Sequence, residues 1–172
     1  MRPMPSRKLN KRITRVWRAS ALINLLVWGL LGIGSVYALW RLADSPGEFH
    51  DDVAAQGFWL ALLVGIAIWL VLFVVFVVIV PKIRWIQWSF EIYDEEIDIH
   101  KGIFWRKRII IPLIRVQNVD TRQGPLMRIA GLSSFAVSTA AGQHEIPGLE
   151  IAEADETRDR VAVLARIAQE DV

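Results

Sequence analysis

The chain contains no cysteine. That excludes disulfides, thiolate nucleophiles and cysteine-held metal or iron–sulfur centres, and it fits a domain kept in the cytosol. Histidine is almost as scarce: His50, His100 and His144 stand far apart in the sequence. Acidic residues are missing before Asp44, although seven basic ones (Arg2, Arg7, Lys8, Lys11, Arg12, Arg15, Arg18) precede Ala19. Charge of either sign is missing from Phe58 to Val80, FWLALLVGIAIWLVLFVVFVVIV. Signatures of catalysis are missing too. Ser133, Ser134, Ser138 and Thr139 share a region with His144, but no nucleophile-elbow motif accompanies them. Asp94-Glu95-Glu96 lacks the spacing of a calcium loop. Gly124 and Gly131 belong to no phosphate-cradling loop. No catalytic residue, metal site or cofactor is therefore expected, and the chain reads as something other than an enzyme.

What is present divides at about residue 80. Two apolar runs, residues 19–40 and 58–80, each meet the requirement of about 20 residues for a hydrocarbon core of about 30 Å. The first is too long for the apolar stretch of a signal peptide, and Tyr37-Ala38-Leu39 is a poor cleavage site. Trp17 and Trp40 bracket one run and Trp59 and Trp85 the other, the positions of interfacial anchors. Lys and Arg favour the cytosolic side. The seven basic residues of the tail 1–18, with Lys82 and Arg84, put both termini in the cytosol. The short loop 41–57, with Asp44, Glu48, Asp51 and Asp52, is then external. Neither span holds an ionisable residue, so the pair reads as an anchor rather than an ion pathway. Small residues Gly34, Ala38, Ala61 and Gly65, with Asn24 hydrogen-bonding across, are expected to form the seam between the two spans.

From Pro81 onward the balance is 12 basic to 14 acidic residues, which argues against nucleic-acid binding despite the high overall pI. Apolar residues now alternate. Trp88, Phe90 and Ile92 mark a strand, and so do Ile97 and Ile99. Lys101-Gly102 reads as a hairpin turn, Ile103–Ile111 as a strand stopped at Pro112, and Val116–Thr121 as the next. Alternation falters at Gln117, where a bulge fits. Pro125–Ile129 fits one helical turn, Ser134–Ala140 and Gln143–Ile146 two more strands. Ala154, Thr157, Val161, Leu164 and Ala168 make one stripe of a closing helix. The sum is an α+β membrane protein: a helical hairpin, then a β-rich domain at 81–172.

The ordered set Arg84-Trp85, Ile97-x-Ile99-x-x-Gly102, Ile111-Pro112-x-x-Arg115-Val116-Gln117-x-Val119, Gln123-Gly124-Pro125-Leu126-x-Arg128-x-x-Gly131-Leu132 and Thr139-Ala140 resembles the bacterial pleckstrin-homology-like (PH-like) domain of the YdbS-like membrane proteins. The resemblance implies seven strands in two nearly orthogonal sheets, a PH-like barrel closed by a C-terminal helix. Eukaryotic relatives bind phosphoinositides through basic residues around the first two strands and their loop. Here that loop is Asp94-Glu95-Glu96. The basic patch lies instead at Lys101, Arg106, Lys107 and Arg108, and either contacts an acidic partner or anionic lipid headgroups or is a charged hairpin that protects a sheet edge. Arg115, Gln117 and Arg128 match the family pattern, either as a recognition surface or as hydrogen bonders that fix the sheet and the Gly-Pro turn. The expected partners are membrane lipids and a protein: a second copy of the chain or a related PH-like membrane protein.

Overall fold

The computed structural model describes residues 5–43, 52–103 and 105–170. Arg2, Phe104 and the loop residues Asp44, Glu48, His50 and Asp51 lie outside the described residues, as do the side chains of Trp40 and Asp52. The chain forms two compact units, one of Arg18–Val80 and one joining Met1–Trp17 to Pro81–Val172.

The first unit holds most of helix α1 (Ile13–Ala43) and helix α2 (Asp52–Phe73). Helix α2 is apolar all round, as a lipid-facing helix is, and α1 is apolar through its span except for Ser20, Asn24 and Ser35. The candidate spans run Ile13–Leu39 and Trp59–Gln87, long enough to cross a bilayer. The second overruns Val80 because the helix does not stop there. A π-helical turn, Val74–Ile79, leads directly into α3 (Val80–Gln87). The Val80 N–H donates to the Val75 carbonyl, five residues back. Pro81 follows, with no N–H and a ring that collides with the carbonyl four residues back in an α-helix. The wider π turn makes room for that ring.

The small-residue seam is not where the two spans meet. Neither Gly34 nor Gly65 has a neighbour within 4 Å of where a Cβ would stand, and Ala38 and Ala61 are exposed. The close approach is at Gly29, where a Cβ would lie 3.0 Å from Trp69 Nε1. A large indole filling the space over a glycine replaces small-on-small packing. Asn24 does not reach across either; its Nδ2 donates to the Ser20 carbonyl at 2.9 Å, one turn back on its own helix.

The second unit contains two three-stranded antiparallel sheets. In chain order, β1 (Ser89–Ile92), β2 (Glu96–Lys101) and β3 (Lys107–Pro112) form one; β4 (Val116–Arg122), β5 (Leu132–Thr139) and β6 (Gly142–Glu150) form the other. A 3₁₀ turn, Leu113–Arg115, makes the corner between them, and α4 (Pro125–Ile129) joins β4 to β5. Six strands are present among the described residues rather than the seven the resemblance implied, and the barrel is not closed. The register shifts between Val116 and Asn118, so Gln117 is the bulged residue. Helix α5 (Ile151–Glu170) packs on β4, β5 and the corner, burying Ala154, Thr157, Val161 and Ala165. Gln169 Nε2 ties its last turn to the Val116 carbonyl at 3.0 Å.

The N-terminal segment, which composition marks as a basic tail, is built into this unit. Leu9, Ile13 and Val16 are buried in one cluster with Phe90, Phe135 and Leu149. Each such apolar side chain contributes about 1.5–3 kcal/mol when fully buried. The spacing of 9, 13 and 16 is helical, yet lysines and arginines fill the positions between them, so charge masks an amphipathic face. Arg7 bridges Phe90 on the free edge of β1, the Phe90 N–H donating to the Arg7 carbonyl at 3.0 Å. The Asn10 N–H donates to the Gly148 carbonyl at 3.2 Å. Gly148 has φ +73°, and a Cβ there would stand 2.7 Å from Ile13 Cβ. Only glycine allows this approach. A domain boundary at residue 81 therefore leaves out part of the core.

Candidate interaction surface

The basic patch sits on the β2–β3 hairpin. Its strands pair Ile99 with Ile109, His100 with Arg108 and Lys101 with Lys107, so the loop runs from Gly102 to Arg106. The loop is longer than the expected turn at Lys101-Gly102, because Ile103, Trp105 and Arg106 do not enter the strand. Gly102 has φ +131°, and any Cβ there would overlap the Trp105 carbonyl oxygen. The Gln87 amide donates to the carbonyls of Gly102 and, at 3.0 Å, Ile103. The last residue of α3 thus holds the loop in place.

The four candidate basic residues do not act together. Arg108 is engaged: Nε donates to Asp98 Oδ2 at 3.0 Å and Nη2 to the same oxygen at 2.6 Å. Asp98 is only 1% exposed, so Arg108 supplies the counter-charge for a buried carboxylate. That hydrogen bond, assisted by the charge of Asp98, raises the Arg108 pKa above its ordinary value. Lys101 Nζ lies 5.9 Å over the Trp88 ring, a cation–π contact that leaves its charge partly available. Arg106 and Lys107 are exposed. Directly before them in the loop stands Trp105, 89% exposed. His144, on β6, lies within electrostatic reach of Lys101 and Lys107. Partial burial first, then those two cations, hold its pKa below 6.5. The surface is therefore an exposed indole beside two cations that have no partner among the described residues, with Lys101 and His144 within electrostatic reach.

Arg115, Gln117 and Arg128 are exposed on the corner, the bulge and α4, respectively. Among the described residues their side chains make no hydrogen bond, so they do not fix the sheet or the Gly-Pro turn. Gln123 does that, donating to the Leu132 carbonyl at 2.9 Å, and Ser133 Oγ donates to the Arg122 carbonyl at 3.0 Å. Sequence reasoning missed Trp105, because an aromatic between a glycine turn and a basic run reads as one more strand residue. Its place directly before two cations was the available signal.

Two apolar helices followed by two three-stranded antiparallel sheets and a C-terminal helix define a membrane protein with a PH-like module. The chain belongs to the bacterial PH domain family, whose model matches residues 22–165. It is 38% identical over 172 residues, the full length of both chains, to the UPF0699 transmembrane protein YdbS of Bacillus subtilis. The transmembrane protein YdbT of the same organism is 30% identical over 89 residues, 51% of this chain and 18% of that protein. No solved structure matches the chain.

Proposed function

We propose that this protein is a non-catalytic interaction module, a PH-like domain held by two spans at the cytosolic face of the bacterial inner membrane, with both termini in the cytosol. It docks a protein partner through the β2–β3 hairpin. The observation that carries this reading is Trp105, 89% exposed and followed directly by Arg106 and Lys107. Tryptophan and arginine are the side chains most enriched at interface hot spots, and an indole left in water at the tip of a held loop gains most from burial. The free cations favour a partner with an acidic rim. A second copy of the chain or another PH-like membrane protein shares the plane of the bilayer. Confinement there raises effective concentration, so a small surface suffices.

A second reading, contact with anionic phospholipid, draws on the same indole and cations, since tryptophan and basic residues both favour the membrane interface. It loses Arg108, whose guanidinium is occupied by Asp98. A photo-crosslinking amino acid placed at Arg106 of the full-length protein, in native membranes, separates the two. A defined protein adduct that Trp105→Ala abolishes supports the proposal. Adducts with lipid alone, weakened by salt, transfer the surface to the second reading. Adducts from Gln117 but none from Arg106 remove the hairpin from the function altogether.

A further inference from the structure

Helix α1 carries a polar face that its own partner helix does not cover. Leu31 and Ser35 each fall within ~20° of Asn24 round the helix, on either side of it, and Trp28 stands ~40° from Asn24. Gly29, which meets Trp69 of α2, lies ~140° from Asn24. The polar face thus points away from α2. Ser35 is satisfied by its own helix, its Oγ donating to the Gly32 carbonyl at 2.8 Å. Asn24 is not: one N–H bonds the Ser20 carbonyl, leaving the second N–H and the amide oxygen without a partner among the described residues. Trp28 is 70% exposed, and its indole N–H likewise has no acceptor among them. About five residues into the span, Asn24 lies some 7 Å below the headgroups, and Trp28 lies close to the midplane of a ~30 Å core. Polar groups there have only hydrocarbon to face, at a cost of several kcal/mol when unpaired.

We infer that this face of α1 is the contact between two copies of the chain, related by a two-fold axis normal to the membrane. All copies insert with the same orientation, so such an axis sets each residue opposite itself at the same depth. An asparagine amide is both donor and acceptor, and Asn24 of one copy therefore satisfies Asn24 of the other. A heterologous helix would need a matching polar group at that depth; a second copy carries it by construction. The inference rests on α1 spanning the bilayer and is independent of what the hairpin binds.

The cysteine-free chain makes the test direct. Leu31→Cys, on the polar face, and Leu30→Cys, ~120° from Asn24, are oxidised in native membranes with copper phenanthroline. Leu31→Cys is expected to give a covalent species of twice the chain mass, and Leu30→Cys none. Adding Asn24→Leu, which leaves a more apolar and still insertable span, should lower the Leu31→Cys dimer by about threefold or more, the scale of one interhelical hydrogen bond. Crosslinking from both faces alike, from neither, or unaffected by Asn24→Leu overturns the inference. A product of any other mass gives the face to a different protein and overturns it too.

Discussion

Replacing Gly148 with alanine tests whether the N-terminal segment is part of the domain. The alanine Cβ would stand 2.7 Å from Ile13 Cβ and 2.9 Å from its Cγ1, inside van der Waals contact. Overpacking of this kind costs about 1–3 kcal/mol. Holding a non-glycine residue at φ +73° adds about 1–2 kcal/mol. Together these weaken the docking of Ser6–Val16 by about 2–5 kcal/mol, and local opening becomes roughly thirtyfold to several-thousandfold more frequent. Hydrogen exchange by mass spectrometry on the full-length protein in nanodiscs reads this out. Peptides covering residues 6–16 should be protected in the wild type and exchange faster in Gly148→Ala, while peptides from β2 and β3 change little. Ile13→Ala in the Gly148→Ala background removes the Cγ1 and Cδ1 contacts but leaves the two Cβ atoms in collision, so steric relief should be partial; Ile13→Gly, which removes all three contacts, should relieve more of the clash. A wild-type segment 6–16 that exchanges as freely as an unstructured chain, or a Gly148→Ala protein with unchanged exchange, refutes the reasoning.

Three further outcomes follow from the same geometry. Arg108→Ala strands a buried carboxylate and should lower the melting temperature in detergent, with Asp98→Asn in the same chain recovering part of the loss; no loss would mean that Asp98 is solvated. Gly102→Ala should displace Trp105 and lower photo-crosslinking from position 106 while the melting temperature changes little, whereas undiminished crosslinking would separate the loop's geometry from docking. His144 has a folded pKa below its ordinary 6.5, so the unfolded chain takes up the proton first. Its stability contribution is complete above about pH 6.5 and is lost as pH falls from there toward the lower folded value. Melting temperatures of wild type and His144→Gln should therefore run parallel above pH 6.5 and converge or cross below it; parallel curves throughout refute the shift.

Elements with a strong period were readable from sequence. The alternation through Trp88, Phe90, Ile97 and Ile99 places β1 and β2, the falter at Gln117 marks the bulge, and the stripe from Ala154 to Val161 gives the buried face of α5. Features set by tertiary contact were not. The docking of Leu9, Ile13 and Val16 hides behind seven basic residues whose charge signals topology. The Asp98–Arg108 pair joins residues ten apart across a hairpin, and neither shows locally that one is buried. The basic run Arg106-Lys107-Arg108 reads as one patch, but pleating and pairing commit its third member to structure. Glycine and alanine spacing suggested a seam in the membrane, while the actual approach uses one glycine against an indole.

The proposed function requires the PH-like domain to lie in the cytosol, on the opposite side of the membrane from the acidic loop. Single cysteines introduced at Arg106 and at Glu48, one per protein, test this with a membrane-impermeant maleimide applied to intact cells. The account predicts labelling at position 48 in intact cells and at position 106 only after permeabilisation. Labelling of position 106 in intact cells, with position 48 protected, would contradict it.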